Sequence, residues 1–179
     1  MDRTQSVVTP ERFAKGMTFD QYVRFVATPE NLKREGSQGS ARRDWSAHLR
    51  ETYEATRLHP TQVETLKWLA AQPGGPTKML VIAEEWSSDC RRDLPMFARM
   101  AEAAPFELRI FTRDGQRFSK SARPTLAEAP DSNADIMAEF LNDKHARPGS
   151  PSPSPSSTRA ISATSITTSS SRRSTTRTR

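Results

Sequence analysis

The sequence predicts an α/β fold: an N-terminal helical layer, then an incomplete β-α-β unit, then a disordered C-terminal tail. Three observations predict it. Two short apolar runs, MLVIAE at 79–84 and FELRIF at 106–111, are separated by one helix-length segment. Before them, aromatic and aliphatic residues recur at three- and four-residue spacing. From Arg147 the composition changes abruptly, and 18 of the 31 residues from Gly149 onward are Ser or Thr.

Composition sets the outer limits. Of 179 residues only 34% are apolar and 13 are proline, so the whole chain cannot be one packed core. The formal charge of +6 is unevenly placed. Residues 144–179 hold 7 of the 27 basic side chains and no acidic one, which leaves 20 basic against 21 acidic, a net of −1, in 1–143. The basicity therefore belongs to the tail. A single cysteine, Cys90, excludes an internal disulfide and a multi-cysteine zinc site, and fits a reducing compartment, the cytoplasm. The start, MDRTQSVVTPERF, has no apolar signal-peptide core, and no run reaches the roughly 18 to 20 apolar residues a membrane span needs.

The elements follow in order. Residues 1–17 are expected to be flexible. In 18–72, TFDQYVRFVA places Phe19, Tyr22, Val23 and Val26 on one helical face, with Thr18 as N-cap and Pro29 as the stop. After the turn-rich REGSQGS, Trp45, Leu49 and Tyr53 lie four residues apart. A third helix opens at His59-Pro60-Thr61, where Thr61 and Glu64 form a capping-box pattern ahead of Leu66, Trp68 and Leu69. The apolar stripes of all three helices are expected to face a core. QPGGPTK breaks the helix, and its prolines and spacing read as a turn, not a phosphate loop. Residues 76–143 then hold the strand at 79–84, a helix from Arg91 to Ala103 ended by Pro105, the strand at 106–111, a long loop at 112–133, and a fourth helix, NADIMAEFLN, opened by Ser132 or Asn133. Strand, helix and strand make a parallel unit with a right-handed crossover. Residues 144–179 are the tail, too poor in apolar side chains to order themselves.

Chemistry is confined to the corner after the first strand, EEWSSDCRRDLPMF, residues 84–97. Trp86, Cys90 and Pro95 stand where the thioredoxin superfamily carries its Trp-Cys-x-x-Cys motif and the proline of the following helix, and the chain resembles that superfamily. It resembles in particular members with a helical N-terminal extension, through WLAAQ, VIAEEWSSDCRRDLPMFARMAE, ELRIF and SNADIMAEFLN. The resemblance implies a thiol-disulfide oxidoreductase with a role in cell redox homeostasis. In that family the first cysteine attacks, because a thiolate is stabilised at a helix N-terminus. Here that position is Ser87, whose hydroxyl forms no disulfide and has no nearby histidine to activate it. Cys90 matches the second cysteine, which resolves a bond that Ser87 cannot make. Val81 stands where the family has a buried aspartate.

Beside that implication stand plainer readings. Ser87, Ser88 and Asp89 are good helix-capping residues, with Asp89 well placed against the helix dipole. Cys90 reads as a small buried apolar side chain. Glu84 and Glu85 read as a solvated strand end, and Arg91-Arg92 as an exposed helix face that would also favour anionic thiols near Cys90. His48, His59 and His145 lie too far apart for a metal site, so neither metal nor cofactor is expected. The tail arginines lack interleaved aromatics, so specific nucleic-acid binding is not expected, and neither is a membrane partner.

The function read from this is a thioredoxin-like protein with impaired dithiol activity. The alternative is a non-catalytic binding module for a polypeptide or a small thiol; a third reading is a tail-mediated nucleic-acid binder. The family also implies two further antiparallel strands after the fourth helix, with a cis proline facing the motif. A frameshift near His145 would restore them. With Gly, Ser and Pro codons as GGN, TCN and CCN, a frame starting at the third bases lets 149–154 read Ile-Pro-Val-Ala-Val. Without those strands the sheet edge is expected to be bare.

Overall fold

The computed structural model describes residues 6–34, 36, 40–113, 132, 133, 135, 136, 139, 164 and 165. The first departure from expectation comes at the start. Helix α1, Pro10–Ala14, occupies the stretch read as flexible. Thr9 caps it by accepting from the Arg12 N–H, and Pro10 sits in the first turn, where its missing N–H costs nothing. Burial of Phe13 at 2% exposure supplies what local propensity did not advertise. Beyond it Gly16 passes so close to Phe111 that a Cβ there would stand 2.6 Å from its ring. Met17 then bridges antiparallel to Ile110, each N–H donating to the other's carbonyl at 2.8 Å.

Helix α2, Phe19–Val26, has the cap at Thr18 that the sequence predicts, reciprocated by Gln21. It buries Tyr22, Val23, Phe25 and Val26. Pro29 does not merely stop it. A further turn, α3, Pro29–Leu32, opens on that proline with Thr28 as cap. Helix α4, Ser46–Ala55, buries Leu49, while Tyr53 stacks on Phe19 with ring centroids 5.0 Å apart. Helix α5, Pro60–Ala71, is capped by His59 and Gln62 rather than by Thr61 and Glu64. None of its residues is buried, so the expectation of a core-facing stripe fails for Leu66, Trp68 and Leu69; Trp68 is 63% exposed.

Strand β1, Lys78–Ile82, stops two residues short of the apolar run's end. Helix α6, Ser88–Ala103, begins three residues before the predicted Arg91 and carries Pro95 inside it. Strand β2, Glu107–Phe111, lies parallel to β1, with Lys78 opposite Glu107 and Ile82 opposite Phe111. Alternation along the strands divides the core in two. Val81, Ala83 and Ile110 pack with Tyr22, Val23, Val26, Leu49, Cys90 and Leu94. Leu80, Ile82 and Phe111 pack with Val8, Phe13 and Ile136. Residues 135, 136 and 139 are helical, as the fourth predicted helix requires, and Arg12 pairs with Asp135.

A third strand, β3, Thr164–Ser165, pairs antiparallel with β1 and makes the sheet order β2-β1-β3. The expected bare edge is thus occupied at two positions, by part of the segment read as disordered. The rest of that segment lies outside the described residues, as do the strand and cis proline expected at 149–154 and most of the 112–133 loop. Asn133 ties the loop's two ends together, its Nδ2 donating to the Thr112 carbonyl at 2.6 Å. Among the described residues no helix is long and apolar enough to cross a membrane.

Candidate functional site

The chain leaves β1 at Ile82 and turns at once into α6, the Ser87 N–H donating to the Glu84 carbonyl at 3.0 Å. Ser87 is the N-cap of α6 by backbone conformation, but its side chain makes no capping bond. It is 8% exposed and bonds instead to the thiol three residues on. Ser88 is exposed, Asp89 lies in the first turn and pairs with Arg92 at 3.5 Å, and Trp86 is half-buried. The structure therefore brings Ser87 and Cys90 into contact at the start of α6.

Cys90 is 2% exposed and packs in the core between α2, α4 and β1. Burial pushes its thiol above the ordinary range; hydrogen bonds from the Glu84 backbone and the Ser87 hydroxyl pull the other way without reversing it. The carboxylates of Glu84 and Asp89 add to the upward push. Burial of the sulfur thus disfavours the thiolate, the form that attacks in disulfide exchange.

Below this corner the sequence reading is overturned. Glu84 and Glu85 are each 1% exposed, not a solvated strand end. Glu84 Oε2 accepts from Arg42 Nη1 at 2.7 Å, and its Oε1 accepts from Arg34 Nη2 at 3.0 Å and from the Arg113 backbone N–H at 2.8 Å. Glu85 accepts from Arg42 at 2.8 Å on both oxygens and from Asn31 Nδ2 at 3.1 Å. Asn31 also donates to the Val26 carbonyl and accepts from Arg34, both at 3.1 Å. Two carboxylates thus meet two guanidinium groups, and the cluster is neutral. Burial alone would raise the Glu84 carboxyl, but Arg34 and Arg42 outweigh it and hold the group below the carboxylate range. Burial would likewise lower Arg42, and the two glutamates more than offset that.

Arg34 opens REGSQGS, which the sequence presents only as a turn-rich linker, and Arg42 follows it by two residues. Neither was a site candidate. The signal that points to them is the opposite pair: two adjacent acids directly after an apolar strand need cationic partners if the turn is buried. Arg91 is not the free helix face expected either. Its guanidinium lies 3.9 Å over the Trp45 ring and donates to the Glu85 carbonyl at 2.8 Å. Arg92 is exposed and bonds Asp93. The Tyr22 hydroxyl, fully buried beside these groups, finds no hydrogen-bond partner among the described residues, and burial together with Glu85 and Glu84 raises its pKa well above the phenol range. It stays protonated.

No group of three or more potential metal ligands occurs among the described residues. The arrangement is a rigid corner: a helix start locked by buried ion pairs, one buried thiol held by a hydroxyl, and a half-exposed indole at the surface. A family model described as thioredoxin matches residues 37–131. No curated protein and no solved structure gives a match.

Proposed function

The chain belongs to the thioredoxin family, and from that premise we propose that it is a thioredoxin-like protein without dithiol turnover. The observation that carries this is the state of the only thiol. Cys90 is buried, its pKa is raised, and its neighbour at the attacking position is the Ser87 hydroxyl. Disulfide exchange needs a thiolate that can reach a substrate sulfur and a second thiol to release it, and neither is supplied. A lone buried thiol of this kind is at home in a reducing compartment, and the cytoplasm is the location that fits.

What the corner retains is recognition. Trp86 keeps part of its indole at the surface beside the exposed Ser88, on a turn that the glutamate-arginine cluster beneath it holds in place. This favours non-covalent capture of an extended polypeptide or a low-molecular-weight thiol beside Trp86.

Reduction of insulin disulfides, followed as turbidity with a dithiol reductant, is the direct test. The protein is expected to stay at the uncatalysed rate; catalysis above it would defeat the proposal. Ser87→Cys supplies the counterpart. It places a second thiol at the helix N-cap beside Cys90, and a reversible intramolecular disulfide is expected under mild oxidation, read by thiol titration. Two thiols that both remain free in the folded variant would show that the corner has no redox geometry.

A further inference from the structure

Helix α6 has a weak point at its middle. Pro95 has no N–H to give the Arg91 carbonyl, and its ring crowds that carbonyl, so the ladder joining the first two turns to the rest is interrupted there. Those two turns, 88–94, carry Cys90 and Leu94 into the core and follow directly on the corner that presents Trp86. Helix α4 packs beside α6 and has neither proline nor glycine along its length.

The two helices are joined by the same device twice. Arg91 lays its guanidinium 3.9 Å over the Trp45 ring and donates to the Glu85 carbonyl at 2.8 Å. Arg99 lays its own 3.8 Å over the Tyr53 ring and donates to the Tyr53 carbonyl at 3.1 Å and hydroxyl at 3.2 Å. Trp45 and Tyr53 are eight residues apart, as are Arg91 and Arg99, so the helices run in the same direction with one clasp on each side of Pro95. Leu49, midway between the two aromatics, is buried in the core that holds Leu94. A guanidinium over an aromatic face attracts more strongly as water is removed, and both arginines are half-buried. The first clasp grips the corner as well. The carbonyl it holds belongs to the peptide linking Glu85 to Trp86, while Arg42 and Asn31 hold the Glu85 side chain.

We propose that α4 is a splint for the proline-broken helix: its two clasps hold 88–94 in line with 96–103, and release of the Arg91 clasp lets 86–94 open about Pro95 as one flap while the rest stays folded. Opening uncovers Cys90 and carries Trp86 away from its place, so the clasp governs how the corner is presented. The device operates whether or not Trp86 captures a ligand.

Thiol labelling of the full-length protein tests it. Cys90 is the chain's only cysteine, so an aromatic disulfide, dithiobis-nitrobenzoate, reports its exposure: the thiol gives its proton to buffer, the sulfur attacks the reagent disulfide, and coloured nitrothiobenzoate leaves. Arg91→Leu is expected to speed labelling by about tenfold or more, at a rate nearly independent of urea below the unfolding transition, because a flap exposes little surface. Arg99→Leu, beyond the proline, is expected to show no such urea-independent acceleration. Pro95→Ala added to Arg91→Leu restores a donor to the carbonyl of residue 91 and is expected to return labelling toward the parent rate. Should Arg91→Leu fail to fold, Trp45→Leu removes the other half of the same clasp and is expected to give the same result. Labelling of Arg91→Leu at the parent rate overturns the proposal. So does acceleration with the steep urea dependence of global unfolding, equal urea-independent acceleration in Arg99→Leu, or no rescue by Pro95→Ala.

Discussion

At the scale of single residues, Arg42 is the cation that both buried carboxylates share. One guanidinium nitrogen reaches both Glu84 and Glu85, and it does so at 2% side-chain exposure. Buried ion pairs contribute little relative to a well-packed apolar substitute, but removing one partner strands the other's charge. Arg42→Ala leaves Glu85 with Asn31 and Glu84 with Arg34 and the Arg113 amide, one cation short. A loss of about 3–5 kcal/mol is expected, measured as the shift in urea-unfolding free energy. Arg42→Lys is expected to recover only part of it, since an ammonium cannot reproduce the planar fork. A loss below about 1 kcal/mol for Arg42→Ala, the range of exposed pairs, would mean that the cluster hydrates and is not structural. Ser87 teaches a complementary lesson. Its cap position was legible from residue type, but its side chain serves the thiol of Cys90 instead of the helix, a choice that depends on where the sulfur is buried.

At the scale of elements, α5 separates pattern from placement. Its sequence carries Leu66, Trp68 and Leu69 in a stretch that reads as a buried stripe, yet it lies on the outside of the helical layer with Trp68 and Leu69 at 63% and 40% exposure. Trp68→Lys is therefore expected to change stability by no more than about 0.5 kcal/mol, the range of an ordinary surface substitution. Were Trp68 in a core, truncating it would cost about 3–5 kcal/mol, so thermal or urea unfolding of the variant discriminates cleanly. Helix α2 shows the opposite case. There the predicted cap, the predicted face and the buried face agree, because Thr18 and Gln21 close a local box and the apolar face meets Val81 and Ile110 across the sheet. Helix α6 began earlier than its charges suggested, since Ser87, Ser88 and Asp89 all suit a helix start and only the turn at Glu84 selects among them.

At the scale of the whole molecule, the buried cluster binds the N-terminal layer to the βα corner. Asn31, Arg34 and Arg42 come from one side and Glu84 and Glu85 from the other, so 18–72 is not a separable appendage. Acid should expose this. A carboxyl whose folded pKa is depressed contributes stability that is complete above its unfolded value and is lost as pH falls through the folded one. For Glu84, held low by Arg34 and Arg42 against its burial, that window lies below about pH 4.3. The unfolding temperature is expected to fall on acidification through that window, and to fall less steeply in Arg42→Met, where one of the two cations that depress the pKa is gone. Carboxylates outside the cluster, such as Asp135, act equally in both proteins, so the difference reports the cluster. Equal slopes would remove Glu84 from the account.

The sequence by itself determined the local features: the α2 face and its Thr18 cap, the two apolar strands flanking one helix, the Trp86-Ser87-Cys90-Pro95 spacing, and a tail with no core of its own. These follow from helical and strand periodicity and from residue type at chain ends, which act over a few neighbours. Tertiary structure alone decided that Glu84 and Glu85 lie buried against Arg34 and Arg42, that Phe13 orders the N-terminal stretch, that Trp68 faces outward, and that Thr164 and Ser165 lie beside β1. Each of these depends on which distant segment passes nearby. Burial and charge pairing are properties of that proximity, and spacing along the chain does not encode it.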